Sequence, residues 1–73
     1  MNNLVIDMTH GGVKIAISLA KKRETVYAYD IYNTLKNIDK KMLEIYNVKI
    51  IDLEYLKNLT GNIKVIYPVH LPL

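Results

Sequence analysis

The sequence predicts a small α/β protein with one parallel β-sheet and helices on both faces of it. Short runs of β-branched and aromatic residues alternate along the chain with stretches of helical periodicity. Each predicted strand but the last is followed by a helix, which carries the chain back so that the next strand enters the sheet in parallel. The composition, 51% hydrophobic and 23% charged, suits a globular interior. We therefore expect a Rossmann-like three-layer fold with four strands.

The first strand and helix are predicted between residues 4 and 22. Leu4–Ile6 is a continuous apolar run closed by Asp7, as expected of a strand in the middle of a parallel sheet. A helix is predicted over Val13–Lys22, because its apolar residues return at helical spacing. The cations of Lys21–Arg23 complement the dipole in its last turn.

The second strand is predicted at Thr25–Tyr29, which is closed by Asp30. Asn33 or Thr34 is expected to cap the following helix. Its apolar residues recur at the spacing of one helical face, with the polar residues between them turned outward: Leu35, Ile38, Met42 and Ile45 against Lys36, Asp39, Lys40 and Glu44. Asn47 is expected to end the helix, because Asn tolerates the left-handed conformation of a helix cap.

The last elements are a strand at Val48–Ile51, a short helix capped by Asp52, and a strand at Ile63–Tyr67 that Pro68 ends. The short helix is predicted from Leu53, Leu56 and Leu59, and Thr60-Gly61-Asn62 ends it. A strand order of 3-2-1-4 is expected, although the same elements also fit the order 2-1-3-4.

Composition excludes several kinds of site and suggests a compartment. With no cysteine, the chain forms neither disulfides nor thiolate metal sites. Its net charge of +3 is mild, and the lysines interrupt every long apolar run, so we expect no nucleic-acid or membrane partner. Since the first residues lack the pattern of a signal peptide, a cytoplasmic protein is expected.

A ligand site is expected at the carboxyl edge of the sheet, where α/β proteins bind ligands. The order 3-2-1-4 brings the loop Thr9-His10-Gly11-Gly12 close to Pro68-Val69-His70. Gly11 and Gly12 directly precede the first helix, and its positive end suits a phosphate or carboxylate. A tight turn that needs glycine only for its geometry explains the pair equally well.

Other residues at this edge have two interpretations. Asp30 lies where a dinucleotide fold places the acid that binds a ribose diol, but Asp is also common in turns and caps. His10 and His70 could contact an acidic ligand or move a proton, and two histidines alone make a poor metal site, so no metal is expected. Asp7 is expected to cap the loop through the N–H of Thr9 or His10. No catalytic motif is present, so no catalytic residue is assigned.

Three segments resemble a known family: LVIDMTHGGVKIA (residues 4–16), YDIYNTL (29–35) and PVHLPL (68–73). Through these segments the chain resembles, over essentially its whole length, the amino-terminal domain of Mur-ligase-like proteins of methanogenic archaea. The type within that family is the coenzyme F-four-thirty synthetase. The resemblance implies that residues 1–73 form a single Rossmann-like substrate-binding domain, the first domain of a longer ATP-dependent ligase in nickel tetrapyrrole biosynthesis.

The resemblance also implies a site, a substrate class and partners. The substrate would be held by the loop after strand one and the rim after strand two, to which we add Thr9 and His70 from the edge geometry: Thr9, His10, Gly11, Gly12, Asp30, Tyr32, Asn33, Thr34 and His70. It would be an anionic small molecule, a tetrapyrrole carboxylate or a nucleotide. The absence of a G-x-G-x-x-G loop departs from the family pattern and is compatible with a substrate other than a uridine nucleotide.

No cofactor is implied for this chain itself, because ATP and magnesium would bind a central domain. The remaining domains of the same polypeptide would be its partners, and a homodimer is a further expectation. Two other functions also fit the sequence. The chain could be a half-Rossmann nucleotide-binding regulatory module without catalysis, or a structural assembly domain that pairs through its sheet edge.

Overall fold

A computed structural model of the protein describes residues 1–68. Strands and helices alternate along these residues: β1 (Asn2–Ile6), α1 (Gly12–Lys21), β2 (Thr25–Tyr29), α2 (Asn37–Ile45), β3 (Lys49–Ile51), α3 (Leu53–Lys57) and β4 (Ile63–Ile66). All strand pairs are parallel, and the strand order is β3-β2-β1-β4. The predicted fold class and the order 3-2-1-4 are confirmed, and the order 2-1-3-4 is wrong.

The main hydrophobic core lies between the sheet and helices α1 and α2. Its buried members come from β1, β2, both helices and the segments that join them: Val5, Met8, Ala16, Val26, Ala28, Leu43 and Val48. Ala16 of α1 and Ala28 of β2 are both fully buried, and such small side chains let a helix lie close to a sheet. Gly12, the first residue of α1, lies against the backbone carbonyl of Asp7, so α1 starts at the carboxyl end of β1.

Helix α3 lies against the opposite face of the sheet, so helices cover both faces as predicted. The Tyr55 ring of α3 lies 6.0 Å from the ring of Tyr27, and the Lys49 ammonium lies 4.4 Å from the centre of the Tyr55 ring. Tyr27 and Lys49 are neighbours across β2 and β3. Because successive strand residues alternate between faces, they point away from the core side chains Val26 and Ala28.

Helix α2 begins at Asn37, and the prediction of a cap at Asn33 or Thr34 was wrong. Asp30 is the physical reason, because its carboxylate accepts hydrogen bonds from the backbone N–H groups of Thr34 and Leu35. These bonds hold residues 31–36 in a loop. The helix starts after it, where the Lys36 N–H donates to the Asp39 carboxylate at 3.3 Å.

The side of α2 that faces the core also differs from the prediction. Leu43 is fully buried, whereas Ile38, Met42 and Ile45 are 68%, 42% and 74% exposed. The turn that leads into β3 accounts for this orientation, because the Val48 N–H donates to the Leu43 carbonyl at 2.9 Å. The expected left-handed conformation of Asn47 in that turn is confirmed by a φ of 62°.

Smaller differences concern the ends of elements. Helix α3 ends at Lys57 rather than near Leu59, and the predicted cap is confirmed, since the Asp52 carboxylate accepts the Tyr55 N–H at 2.8 Å. β1 begins at Asn2, two residues earlier than predicted. No helix in residues 1–68 is both long enough and apolar enough to cross a membrane.

Candidate functional site

The candidate site lies at the carboxyl edge of the sheet, around the end of β1. β1 is between β2 and β4, so the loop that follows it is flanked on one side by the loop after β2 and on the other by Tyr67, which follows β4. Parallel strands all end at this edge, and the fold thereby collects loops from distant parts of the sequence.

Asp7 turns the chain out of β1 and caps the loop. Its backbone has a φ of 77°, a left-handed conformation that Asp adopts more readily than most residues, and its N–H continues the sheet pattern by donating to the Tyr29 carbonyl. The carboxylate is 1% exposed and accepts the Thr9 N–H at 2.8 Å. The prediction that Asp7 caps this loop is therefore confirmed through Thr9.

The second carboxylate oxygen of Asp7 holds His10. It lies 2.8 Å from Nδ1 of the imidazole, whose side chain is 40% exposed. Burial opposes ionisation of this carboxyl, but the hydrogen bonds from His10 and Thr9 outweigh burial and hold the pKa of Asp7 below its usual value. Asp7 is therefore ionised near neutral pH, and the loop presents an oriented imidazole backed by a buried negative charge.

The two glycines have different structural roles. Gly11 has a φ of 82°, which glycine adopts without strain, and there is open space where its β-carbon would be. Gly12 is buried, and a β-carbon there would overlap the backbone carbonyl of Asp7. The geometry of the turn therefore accounts for both glycines. This is the second of the two interpretations of the pair that the sequence allowed.

The amino end of α1 has the electrostatics of an anion site as well. No side chain among the described residues caps α1, and its first turn contains no acidic residue. The first amides of a helix have no partner within the helix and carry partial positive charge. Lys14 lies in the same first turn and is exposed, so it adds positive charge where a helix favours an anion.

Asp30 organises the loop after β2 and links it to the first loop. Its oxygens accept from the Thr34 N–H at 3.0 Å, the Thr34 hydroxyl at 3.2 Å and the Leu35 N–H at 2.8 Å. The hydroxyls of Thr34 and Thr9 lie 3.0 Å apart and join the two loops. The turn interpretation of Asp30 thus has direct contacts, whereas a ribose would compete with three hydrogen bonds already made.

Tyr32 contacts a residue that was not among those predicted for the site. Its hydroxyl lies 3.0 Å from the hydroxyl of Tyr67, so this pair connects the loop after β2 with the end of β4, on either side of β1. The hydrogen bond with Tyr32 raises the pKa of Tyr67 above its ordinary value. Only the strand order pointed to Tyr67, because it places residues that follow β4 beside the first loop.

The remaining predicted residues are Asn33 and His70. Asn33 is exposed in the loop with a φ of 54°, and its N–H closes a turn onto the Asp30 carbonyl. His70 lies outside the described residues. Within residues 1–68, the structure brings the other predicted residues together around the end of β1.

Comparison with known proteins identified no relative of this chain. No protein-family model, curated protein or solved structure matches this chain. Among residues 1–68, no cluster of three or more His, Asp or Glu side chains could hold a metal ion. The groups that are present, helix amides, Lys14 and an oriented imidazole, can bind and orient a negatively charged molecule.

Proposed function

We propose that this chain binds an anionic small molecule at the loop between β1 and α1, as the substrate-binding domain of an ATP-dependent, Mur-ligase-like enzyme. One observation carries the proposal: Asp7 holds His10 directly before the amino end of α1, which no described side chain caps. An imidazole, a lysine and the first amides of a helix are then neighbours along the chain at the start of α1. The ligand groups that this arrangement favours are carboxylates and phosphates.

The charge distribution supports an anion in particular. A helix is stabilised by acidic residues in its first turn and destabilised there by basic ones. Helix α1 has the opposite arrangement, with Lys14 in its first turn and no acidic residue. A bound carboxylate or phosphate would offset both the helix dipole and the lysine, and the absence of a β-carbon at Gly11 leaves room for it to approach the backbone.

Binding fits the described residues better than an independent reaction does. The Thr9 hydroxyl is hydrogen-bonded to Thr34, and the Asp30 carboxylate is occupied by its own loop. The narrower assignment rests on the sequence resemblance to Mur-ligase-like proteins. In that proposal the substrate is a carboxylate-bearing nickel tetrapyrrole, and activation of its carboxylate by ATP takes place in a central domain of the same enzyme.

The test is a titration of the ¹⁵N-labelled chain followed by the amide resonances of Gly11, Gly12 and Val13. Coproporphyrin I, a tetracarboxylate tetrapyrrole, and inorganic phosphate are the two probes, with sodium chloride at matched ionic strength as the blank. We expect saturable shifts of these amides with coproporphyrin and weaker ones with phosphate. If the folded chain shows no saturable shift of these amides with either probe, the proposal is wrong.

Two lysines of the same helix provide a matched pair of variants. Lys14→Gln removes a positive charge at the amino end of α1, and Lys22→Gln removes one at its carboxyl end. Both change the net charge equally. We expect Lys14→Gln to weaken the binding of coproporphyrin several-fold and Lys22→Gln to leave it unchanged. Equal weakening by both would show that the probe responds to overall charge and not to this site.

A further inference from the structure

Two tyrosines form an exposed aromatic pair at the end of β1, here called the tyrosine bridge: Tyr32 of the loop after β2 and Tyr67, which follows β4. They are 56% and 48% exposed, the highest fractions among the six tyrosines of the chain. Their hydroxyls lie 3.0 Å apart, although the two residues are 35 positions apart in the sequence. Ile31, next to Tyr32, is 43% exposed and adds apolar surface to the same loop. Apolar groups exposed together in this way are typical of a binding surface.

The tyrosine bridge is attached to the loop between β1 and α1 from both sides. Strand β4 pairs with β1 as far as Ile66, so Tyr67 follows directly beside the end of β1. The loop that carries Tyr32 is joined to the loop after β1 by the hydroxyls of Thr34 and Thr9, which lie 3.0 Å apart. The bridge therefore crosses the end of β1 beside the loop at which we propose that an anion binds.

The hydrogen bond within the bridge decides what the pair offers to a ligand. A sugar hydroxyl or an amide would have to compete with this bond, whereas a flat apolar body can lie against the exposed rings without breaking it. The bond with Tyr32 raises the pKa of Tyr67, and the negative charge of Asp7 raises it further. Tyr67 is therefore uncharged near neutral pH and does not repel an anion.

We propose that the anion bound at the loop between β1 and α1 carries a planar, conjugated body, and that this body stacks on the rings of Tyr32 and Tyr67. The inference rests on the proposed function, which supplies the anion site, and it adds the chemistry of the rest of the ligand. Stacking on aromatic side chains accepts any planar π-system and needs no particular pattern of hydrogen-bonding groups. The ligand class is then a conjugated carboxylate or phosphate, as opposed to an aliphatic polycarboxylate or a sugar phosphate.

The first test compares two ligands that carry the same carboxylates on different macrocycles. Coproporphyrin I is planar and conjugated, whereas its reduced form, coproporphyrinogen I, is neither planar nor conjugated around the ring. In anaerobic titrations followed by the amides of Gly11 and Val13, coproporphyrin should bind at least about fivefold more tightly. The ring protons of Tyr32 and Tyr67 should move upfield far more with coproporphyrin, because they would lie over the face of its aromatic ring.

Variants of the bridge separate the effect of the ring from that of its hydroxyl. Tyr32→Leu removes the ring, so it should weaken the binding of coproporphyrin at least about fivefold and leave the binding of inorganic phosphate unchanged. Tyr32→Phe keeps the ring and should weaken coproporphyrin binding less. Tyr55→Leu is the matched control, because Tyr55 is 39% exposed and packs against Tyr27 in the middle of β2. Circular dichroism should show that each variant remains folded.

Three outcomes would overturn the inference. The first is equal affinity for the two macrocycles while the Gly11 and Val13 amides still shift, which would leave the anion site standing without an aromatic contact. The second is a Tyr32→Leu variant that binds coproporphyrin normally or loses phosphate binding to the same extent. The third is a Tyr55→Leu variant that weakens coproporphyrin binding as much as Tyr32→Leu does. Amides that respond to none of the probes would refute the proposed function and this inference together.

Discussion

Gly12→Ala tests how tightly the loop of the candidate site is wound against β1. Position 12 is the first residue of α1, where alanine is normally the better helix former by about 0.5–1 kcal/mol. In this fold the added β-carbon would overlap the Asp7 carbonyl, far inside the normal contact distance of about 3.5–4.0 Å. The structure therefore predicts destabilisation where helix propensity alone predicts a gain.

The size of the effect follows from what the overlap would have to move. Asp7 is held by its N–H bond to the Tyr29 carbonyl and by its carboxylate bonds to Thr9 and His10, so its carbonyl cannot shift without loss of these contacts. We expect a loss of about 2–4 kcal/mol, in the upper range for overpacked sites. A chain of this length has a total stability of about 4–11 kcal/mol, so the variant should lose a large and readily measured fraction of it.

Urea denaturation followed by circular dichroism measures the effect, and two other glycines provide the reference. Gly11 and Gly61 both have left-handed φ values, of 82° and 90°, and open space at the β-carbon position. Gly11→Ala and Gly61→Ala should each lose only the conformational cost of about 1–2 kcal/mol. If Gly12→Ala is as stable as Gly61→Ala, or more stable than the unmodified chain, the described packing of the loop on β1 is wrong.

Three further predictions concern the hydrogen bonds of the site. The folded pKa of Asp7 is lowered, so its contribution to stability is complete above the unfolded value of about 3.9 and is lost as the pH falls through the folded pKa. The urea midpoint should therefore fall as the pH is lowered from 6 to 2, and Asp7→Asn should make this fall smaller. A fall of the same size in the variant would contradict the assignment. Tyr32→Phe removes the bond that raises the pKa of Tyr67, so Tyr67 should ionise at lower pH in a ¹³C-tyrosine NMR titration, and no change would argue against the pairing. Asp30→Ala should lower the free energy of unfolding by about 1–2 kcal/mol and speed amide hydrogen exchange at Thr34. Asp30→Asn retains one acceptor oxygen, so both of its effects should be smaller. Equal exchange at Thr34 in the two variants and the unmodified chain would refute the proposed role of this carboxylate.

The strands and their order were predictable because the signals for them are local. Runs such as Val26–Tyr29 combine β-branched or aromatic residues with a closing Asp, and a helix after each of the first three strands leaves few topologies. The same reasoning failed at α2. Ile38, Met42 and Ile45 form a better apolar row than the side that is in fact buried, whose largest apolar member is Leu43.

The difference at α2 has a physical origin that periodicity does not contain. A helical pattern shows which residues share a side, but the connections at both ends decide which side faces the sheet. Here the loop held by Asp30 delays the start of the helix, and the turn from Leu43 to Val48 fixes its exit. Both depend on contacts that form only in the folded chain.

The candidate site also has one part that local sequence rules predict and another that depends on contacts between distant residues. The turn of Asp7, the cap of Thr9 and the glycine pair lie within six consecutive residues, and their geometry follows from local rules. The bonds between Thr9 and Thr34 and between Tyr32 and Tyr67 join residues 25 and 35 positions apart. Such pairs require the register of the sheet as well as its order, which is why Tyr67 was missed.

The pairing of β4 with β1 also bears on how the chain folds. Asn2 pairs with Ile63 across this contact, so about 60 residues must be ordered or looped before it forms, against just over 20 for the pairing of β1 with β2. Closing the longer loop costs about 1 kcal/mol more in chain entropy. During synthesis, β1, α1 and β2 can therefore assemble first, and the edge of β1 that later pairs with β4 stays unpaired until β4 has been made. That edge is filled last, so the Tyr32–Tyr67 contact at the candidate site would form only when the rest of the sheet is already in place.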